Sequence, residues 1–232
     1  MNLKNIYKSF LPHTVPVSLT EKVLAALAGG VSILLLSLAL KYLPQNSYPL
    51  IMLSSMAASA LLLFAMPHSP LAQPWNLLGG HMVSALAGRI CFLFIPDSLI
   101  AASAAVGLAI FLMHYLNCLH PPGAATAITL VLGSAQFQSL DFRGVMIVVV
   151  VNATISLILA LIINNLLPGR QYPMRHLAQQ TPQPYPFIVL EQEDLENALI
   201  KMGGVIDISE DDLAQIYTYA LQCAQDRNEK KL

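Results

Sequence analysis

Apolar residues in this chain come in long unbroken blocks, without the two-residue alternation of a half-buried strand. Residues 23–40, 50–66, 77–95, 99–119 and 145–166 form five such blocks. Each approaches or exceeds the roughly 20 residues that carry a helix across a bilayer, with about 17 the lower limit. A sixth block, 123–140, is built of small residues and is strongly apolar only as far as about Ala135, so it reads as a thin span or a half-helix. The pattern predicts an all-α membrane protein, a bundle of about six transmembrane helices.

Charge sharpens this. Between Lys41 and Arg143 the only formally charged residues are Arg89, Asp97 and Asp141. Such a stretch belongs in lipid, not on a water-facing surface. Lys4, Lys8 and Lys22 precede the first block, and Arg170 and Arg175 follow the last. The excess of basic residues on the cytoplasmic side of membrane proteins then places both termini in the cytoplasm. That requires an even number of crossings, so 123–140 crosses too. The polar residues 1–21 lack the apolar core of a cleavable signal, so the first block is expected to stay in the protein.

Beyond the membrane blocks the chain changes character. The expected organisation is a cytoplasmic segment at 1–22, a transmembrane domain at 23–167, a Pro-rich linker at 168–187 and an acidic helical hairpin at 188–232. Leu195, Ala198, Leu199 and Met202 repeat with helical spacing, and Gly203-Gly204 stops them. Ser209 and Asp212 make a capping box for a second helix, whose stripe runs through Leu213, Ile216, Tyr217, Ala220, Leu221 and Ala224.

Composition excludes several classes. Of 232 residues, 56% are hydrophobic and 11% charged, and the formal net charge is −1. No basic patch suggests nucleic acid. Cys91, Cys118 and Cys223 show neither a disulfide framework nor a metal-binding spacing. His114, Cys118 and His120 do not make a convergent ligand set either, because a helix break separates the third from the others. No nucleophile elbow, phosphate loop or zinc-protease motif is present, so neither an enzyme nor a cofactor is expected.

Two Pro-rich interruptions carry the candidate chemistry. One runs from Met66-Pro67 through Ser69, Gln73 and Asn76 into Gly79-Gly80-His81; the other is His120-Pro121-Pro122, leading into Gly123-Ala124-Ala125-Thr126. Irregular backbone at membrane depth survives only inside protein or beside a water-filled cavity. Paired interruptions of this kind point to a transporter site. Proline suits a first helical turn, so the free N–H groups of the helix near Gly123 would point back at the junction as an anion-accepting pole. Gly123 is expected to leave that backbone accessible, with His120 and Thr126 adding donors. The alternative is a tight turn with His120 in headgroup water.

Arg89 lies about 9 Å from the end of its block at Ile95. It either snorkels outward or lines the interior as a cation. His81, on the same helix, reads as a packing or hydrogen-bonding residue. Gly80/Ser84/Gly88, Ala101/Ala105/Ala109 and Ala125/Thr129/Gly133 form small-residue faces that let helices approach closely.

At these residues the chain resembles the HPP family of integral membrane proteins. The resemblance rests on Ser69-Pro70-Leu71-Ala72-Gln73-Pro74-Trp75-Asn76, Gly79-Gly80-His81, Ser84-Ala85, and His120-Pro121-Pro122-Gly123 with Ala125-Thr126-Ala127. It covers roughly residues 21–168. Where the family commonly has a second glycine, this chain has Ala124. The acidic tail looks like that of some bacterial members, which implies a bacterial inner membrane. Cyanobacterial and chloroplast members are implicated in nitrite transport, so the resemblance implies passage of a small anion. The expected substrate-binding set is Ser69, Gln73, Asn76, His81, Arg89, His120, Pro121, Pro122, Gly123 and Thr126. Expected partners are the lipid bilayer, a small anion and further copies of the chain. The alternative function is a membrane sensor or regulatory subunit acting through its tail.

Overall fold

The helix starts follow from a few polar residues at the ends of the apolar blocks. In the computed structural model, which describes residues 17–44 and 49–174 together with Tyr217, seven helices occur and no strand. They are α1 (Leu19–Tyr42), α2 (Ser55–Ala65), α3 (Pro74–Phe94), α4 (Ser98–Tyr115), α5 (Pro121–Leu132), α6 (Ala135–Gln138) and α7 (Phe142–Leu166). Asp97 caps α4 by accepting from the amides of Leu99 and Ile100, and Asp141 caps α7 by accepting from Gly144. Both carboxylates therefore satisfy amide groups that a helix start leaves unpaired. Prolines fill the first turns of α3 and α5, where a missing N–H costs nothing.

Helix α3 is the central element, packed against α4, α5 and α7, while α1 lies on α2 and α7. The all-helical membrane bundle is as the apolar blocks predict. Four helices, α1, α3, α4 and α7, are long and apolar enough to cross a bilayer. The block at 50–66 yields a shorter helix than expected, and the sixth block yields the half-helix of its two readings rather than a full crossing. Helix α2 has 11 residues and α5 has 12. At 1.5 Å per residue they reach about 16–18 Å, against an apolar core of about 30 Å.

The shortening of α2 has a visible cause. The chain from Leu50 to Leu53 is not helical, although it is as apolar as the helices. Asn152 on α7 takes its backbone bonds instead. Leu53 N–H donates to Asn152 Oδ1 at 3.1 Å, and Asn152 Nδ2 donates to the Ile51 carbonyl at 2.9 Å. One buried amide side chain thus makes an unwound segment tolerable. Three turns along α7, Asn164 Nδ2 donates to the Leu63 carbonyl at 3.0 Å and holds the other end of α2.

Of the small-residue faces, two pack as expected. Ala101, Ala105 and Ala109 are buried, and so are Gly80, Ser84 and Gly88. The third is corrected: Ala125 is exposed and Thr129 half-buried, because α5 turns Gly123, Thr126, Ala127 and Leu130 inward instead. The expected acidic hairpin and most of the Pro-rich linker lie outside the described residues.

Candidate functional site

Helix α4 ends in a turn that aims the chain into the second Pro-rich junction. Asn117 adopts a left-handed conformation with φ of 52°, and Cys118 N–H reaches back to the Met113 carbonyl at 2.9 Å. This is the hydrogen-bond pattern of a Schellman stop, with asparagine in the position glycine usually takes. The chain then runs extended through His120 into the two prolines that open α5. At the first junction Ser69 accepts from the Leu71 amide at 3.2 Å and caps the 3₁₀ turn Pro70–Ala72, after which Pro74 opens α3.

The two junctions are stitched to each other. Asn76 Nδ2 donates to the Leu119 carbonyl at 2.8 Å, and Trp75 Nε1 to the Leu116 carbonyl at 3.2 Å. Gln73 Nε2 donates to the carbonyls of Pro67 and Ser69 at 3.1 and 2.9 Å. Ser69, Gln73 and Asn76 are thus brought to one place, and there each bonds to backbone.

The side chain of His120 does not cap the helix that follows it. Its ring enters the bundle, where Nδ1 donates to the Leu71 carbonyl at 2.9 Å. Nε2 lies 3.0 Å from Ser59 Oγ on α2. Ser59 Oγ in turn lies 2.9 Å from His81 Nε2 on α3. His81 Nδ1 is 2.8 Å from Thr126 Oγ1 on α5, and Thr126 Oγ1 is 2.8 Å from Ser55 Oγ at the start of α2. The two imidazoles meet edge to face with centroids 5.0 Å apart. Ser59, His81, His120 and Thr126 are all 0% exposed. Four side chains from three helices, with His120 just before α5, therefore form one continuous hydrogen-bonded chain sealed from solvent.

A single boundary condition orients it. The Leu71 carbonyl only accepts, so His120 carries its proton on Nδ1. With both rings neutral, His120 Nε2 must accept from the Ser59 hydroxyl, and Ser59 must then accept from His81 Nε2–H. His81 Nδ1 accepts from Thr126, and Thr126 from Ser55. Every donor in this order points toward Leu71.

Close helix approach builds the site. A β-carbon on Gly80 would stand 2.5 Å from His120 Cβ, one on Gly123 2.8 Å from the Gly80 carbonyl, and one on Gly88 2.7 Å from the Ala127 carbonyl. The expectation that Gly123 leaves its backbone open is therefore corrected for this conformation. Its α-carbon lies on α3, and its amide donates to the His120 carbonyl at 2.8 Å. The start of α5 is packed with protein. Pro122 is buried and Pro121 exposed beside it.

Arg89, also on α3, does not snorkel. It is 8% exposed, its Nη1 donates to the Gln138 carbonyl at 3.3 Å, and its guanidinium lies 5.2 Å from the Phe92 ring centre. Its Nε is buried without a partner. His114 is exposed on α4, apart from the buried Cys118 that packs under Gly79.

Residues after α7 fold back over the first junction as a strap. The Tyr172 hydroxyl donates to the Ala72 carbonyl at 2.7 Å, and Met174 N–H donates to Gln73 Oε1 at 2.9 Å. Arg170 pairs with Glu21 at the start of α1 and donates to Asn164 Oδ1 at 3.2 Å. Ser55, Ser59 and the strap were not among the expected site residues. The signal for Ser55 and Ser59 was two hydroxyls a helical turn apart in a block that is apolar apart from them and Ser54.

A family model described as the HPP transmembrane region matches residues 14–173. The chain belongs to the HPP transmembrane family. Among curated relatives, one transmembrane protein of Dictyostelium discoideum is 40% identical over 128 residues, covering 53% of this chain and 45% of its own length. A second from the same organism is 38% identical over 152 residues, covering 64% of this chain and 49% of its own. The chain thus spans about half the length of these relatives. No solved structure matches it. This HPP chain is a multi-pass membrane protein in contact with the lipid bilayer.

Proposed function

We propose that this HPP protein carries a small anion across the membrane, with nitrite the first substrate to test. The observation that supports this is the sealed polar chain set between two helices too short to cross. Ionisable residues in a membrane bundle are costly and are kept for substrate or proton pathways. The polar interior holds two histidines and the buried Arg89, while Asp97 and Asp141 are occupied as helix caps. An interior of that character favours an anion. Passage requires α2 to part from α3 and α5, breaking the bonds that Ser59 makes to both rings. Ser69, Gln73, Asn76, His120, Gly123 and Thr126 then line the cytoplasmic mouth, and Arg89 attracts the anion from the other side. Both termini lie in the cytoplasm of a bacterial cell, and the outward small-residue face of α5 serves contact with a second copy.

The test is uptake into proteoliposomes holding the purified chain, with nitrite beside nitrate, formate and chloride. Saturable, selective uptake that His120→Ala and Thr126→Val lose while remaining monodisperse supports the reading. Normal transport by both variants sinks it.

A second reading, regulation through the tail, is favoured by the strap at Tyr172 and Met174. It requires that a bound partner change the junction rather than that an ion pass through it.

A further inference from the structure

We infer that the anion crosses together with one proton, and that the Ser59-bridged histidine pair is the group that binds it. This rests on the transport reading above and adds its coupling ion.

Ser59 has two places to send its hydroxyl hydrogen. One is His120 Nε2, and the other is the carbonyl of Ser55, 3.3 Å away in the preceding turn. When a proton binds His120 at Nε2, one N–H bond forms and no covalent bond breaks. The new N–H donates to Ser59 Oγ, and the Ser59 hydroxyl rotates to the Ser55 carbonyl. Ser59 keeps the bond it accepts from His81 Nε2–H, and His120 Nδ1–H keeps Leu71. Every polar atom is paired before and after, so one hydroxyl rotation accommodates the added proton. Buried polar groups are costly when orphaned, which makes a chain with two fully satisfied states unusual.

The charge that arrives has no counter-ion among the helices around it. Helix α2 carries no titratable residue, and neither does the Pro70–Ala72 turn. Helix α3 adds Arg89 and Cys91, and α5 adds none. Helix α4 has only His114 and Tyr115, both exposed, and α7 only Arg143 at its start; Cys118 packs beneath Gly79. Asp97 and Asp141 are spent on helix caps, and Glu21 is paired with Arg170. Among the described residues a protonated pair is thus a buried cation facing no carboxylate, and a small anion supplies the missing charge. Binding of proton and anion is then reciprocal, each raising the other's affinity by the same factor. The loaded site is neutral, so the cycle moves no net charge.

The experiment uses the full chain in proteoliposomes with an internal pH dye, and nitrite and nitrate as probes. Nitrous acid leaks unaided, so protein-free vesicles are subtracted; nitrate has no such leak. The expected result is internal acidification of about one proton per anion, as a coupled pair requires, with a rate that an imposed potassium-diffusion potential leaves unchanged because the loaded site is neutral. Ser59→Ala loses both fluxes together, by at least about tenfold if coupling has its usual size, while Ser103→Ala on the exposed side of α4 keeps them. Anion flux that follows the imposed potential and moves no proton overturns the coupling and leaves the transport reading standing. No flux of either anion above protein-free vesicles overturns both. Histidine ¹⁵N resonances of the wild-type chain give a further check that needs no variant to fold. They should show His120 protonated at Nδ1 and His81 at Nε2, and the reverse tautomers overturn the chain.

Discussion

Ser59 illustrates how much a small residue carries when it has no substitute. It is the hydrogen-bonded bridge between the two imidazoles, and the other four members of the chain are fully or nearly fully buried. Ser59→Ala orphans a nitrogen on each ring, at about 1–3 kcal/mol for a buried group left unpaired. We expect a clear fall in unfolding midpoint in detergent, while Ser103→Ala, whose exposed hydroxyl bonds only the Leu99 carbonyl of its own helix, stays within about 0.5 kcal/mol of wild type. Glycine positions give a second expectation. Gly80→Ala forces a methyl against His120 and Gly88→Ala one against Ala127 on α5, at a cost of about 1–3 kcal/mol each as overpacking. Gly107→Ala, which meets nothing within 4 Å, is neutral or stabilising by up to about 1 kcal/mol, since alanine favours helix over glycine. Equal midpoints for all three variants would show that α3 and α5 are not in close contact.

At the scale of elements, what shortens α2 is a side chain about a hundred residues away. Asn152→Leu removes the partners of the Leu53 amide and the Ile51 carbonyl, and unpaired backbone groups in hydrocarbon cost several kcal/mol each. The expected outcome is loss of amide-exchange protection at Leu53 together with a large drop in detergent stability; retained protection at Leu53 would contradict it. This also explains what was legible beforehand. Apolar blocks reveal α1, α3, α4 and α7, because length and hydropathy suffice for a spanning helix. They do not reveal that 50–53 is unwound, because apolarity reports the surroundings of a segment and not whether its own amides are paired within it. The site divides the same way. His120, Thr126 and His81 stand out because proline breaks a helix beside them. Ser55 and Ser59 do not, because a lone hydroxyl in an apolar helix ordinarily bonds a carbonyl four residues back. Ser37, Ser103 and Thr129 do that here.

Across the whole molecule, the strap joins the end of the membrane domain to the histidine chain through three adjacent residues. Tyr172 holds Ala72, Met174 holds Gln73, and the preceding carbonyl, that of Leu71, accepts from His120. A truncation after Leu167 therefore removes a support of the junction along with the tail, whereas one after Met174 removes the tail alone. The two cuts separate transport from regulation. If the tail only regulates, the chain ending at Met174 keeps wild-type uptake, and the chain ending at Leu167 loses stability and uptake together. Titration of the strap supplies a marker for it. Burial pushes the Tyr172 hydroxyl well above the ordinary tyrosine value, so folding favours its neutral form. That stability is fully present below the unfolded value of about 10 and declines as pH rises beyond it, because the unfolded chain then loses its phenolic proton more readily. Tyr172→Phe should forfeit about 1 kcal/mol at neutral pH, the worth of one hydrogen bond, and should flatten the alkaline limb of the stability curve. An alkaline limb unchanged in Tyr172→Phe would mean that the hydroxyl does not hold the strap to Ala72.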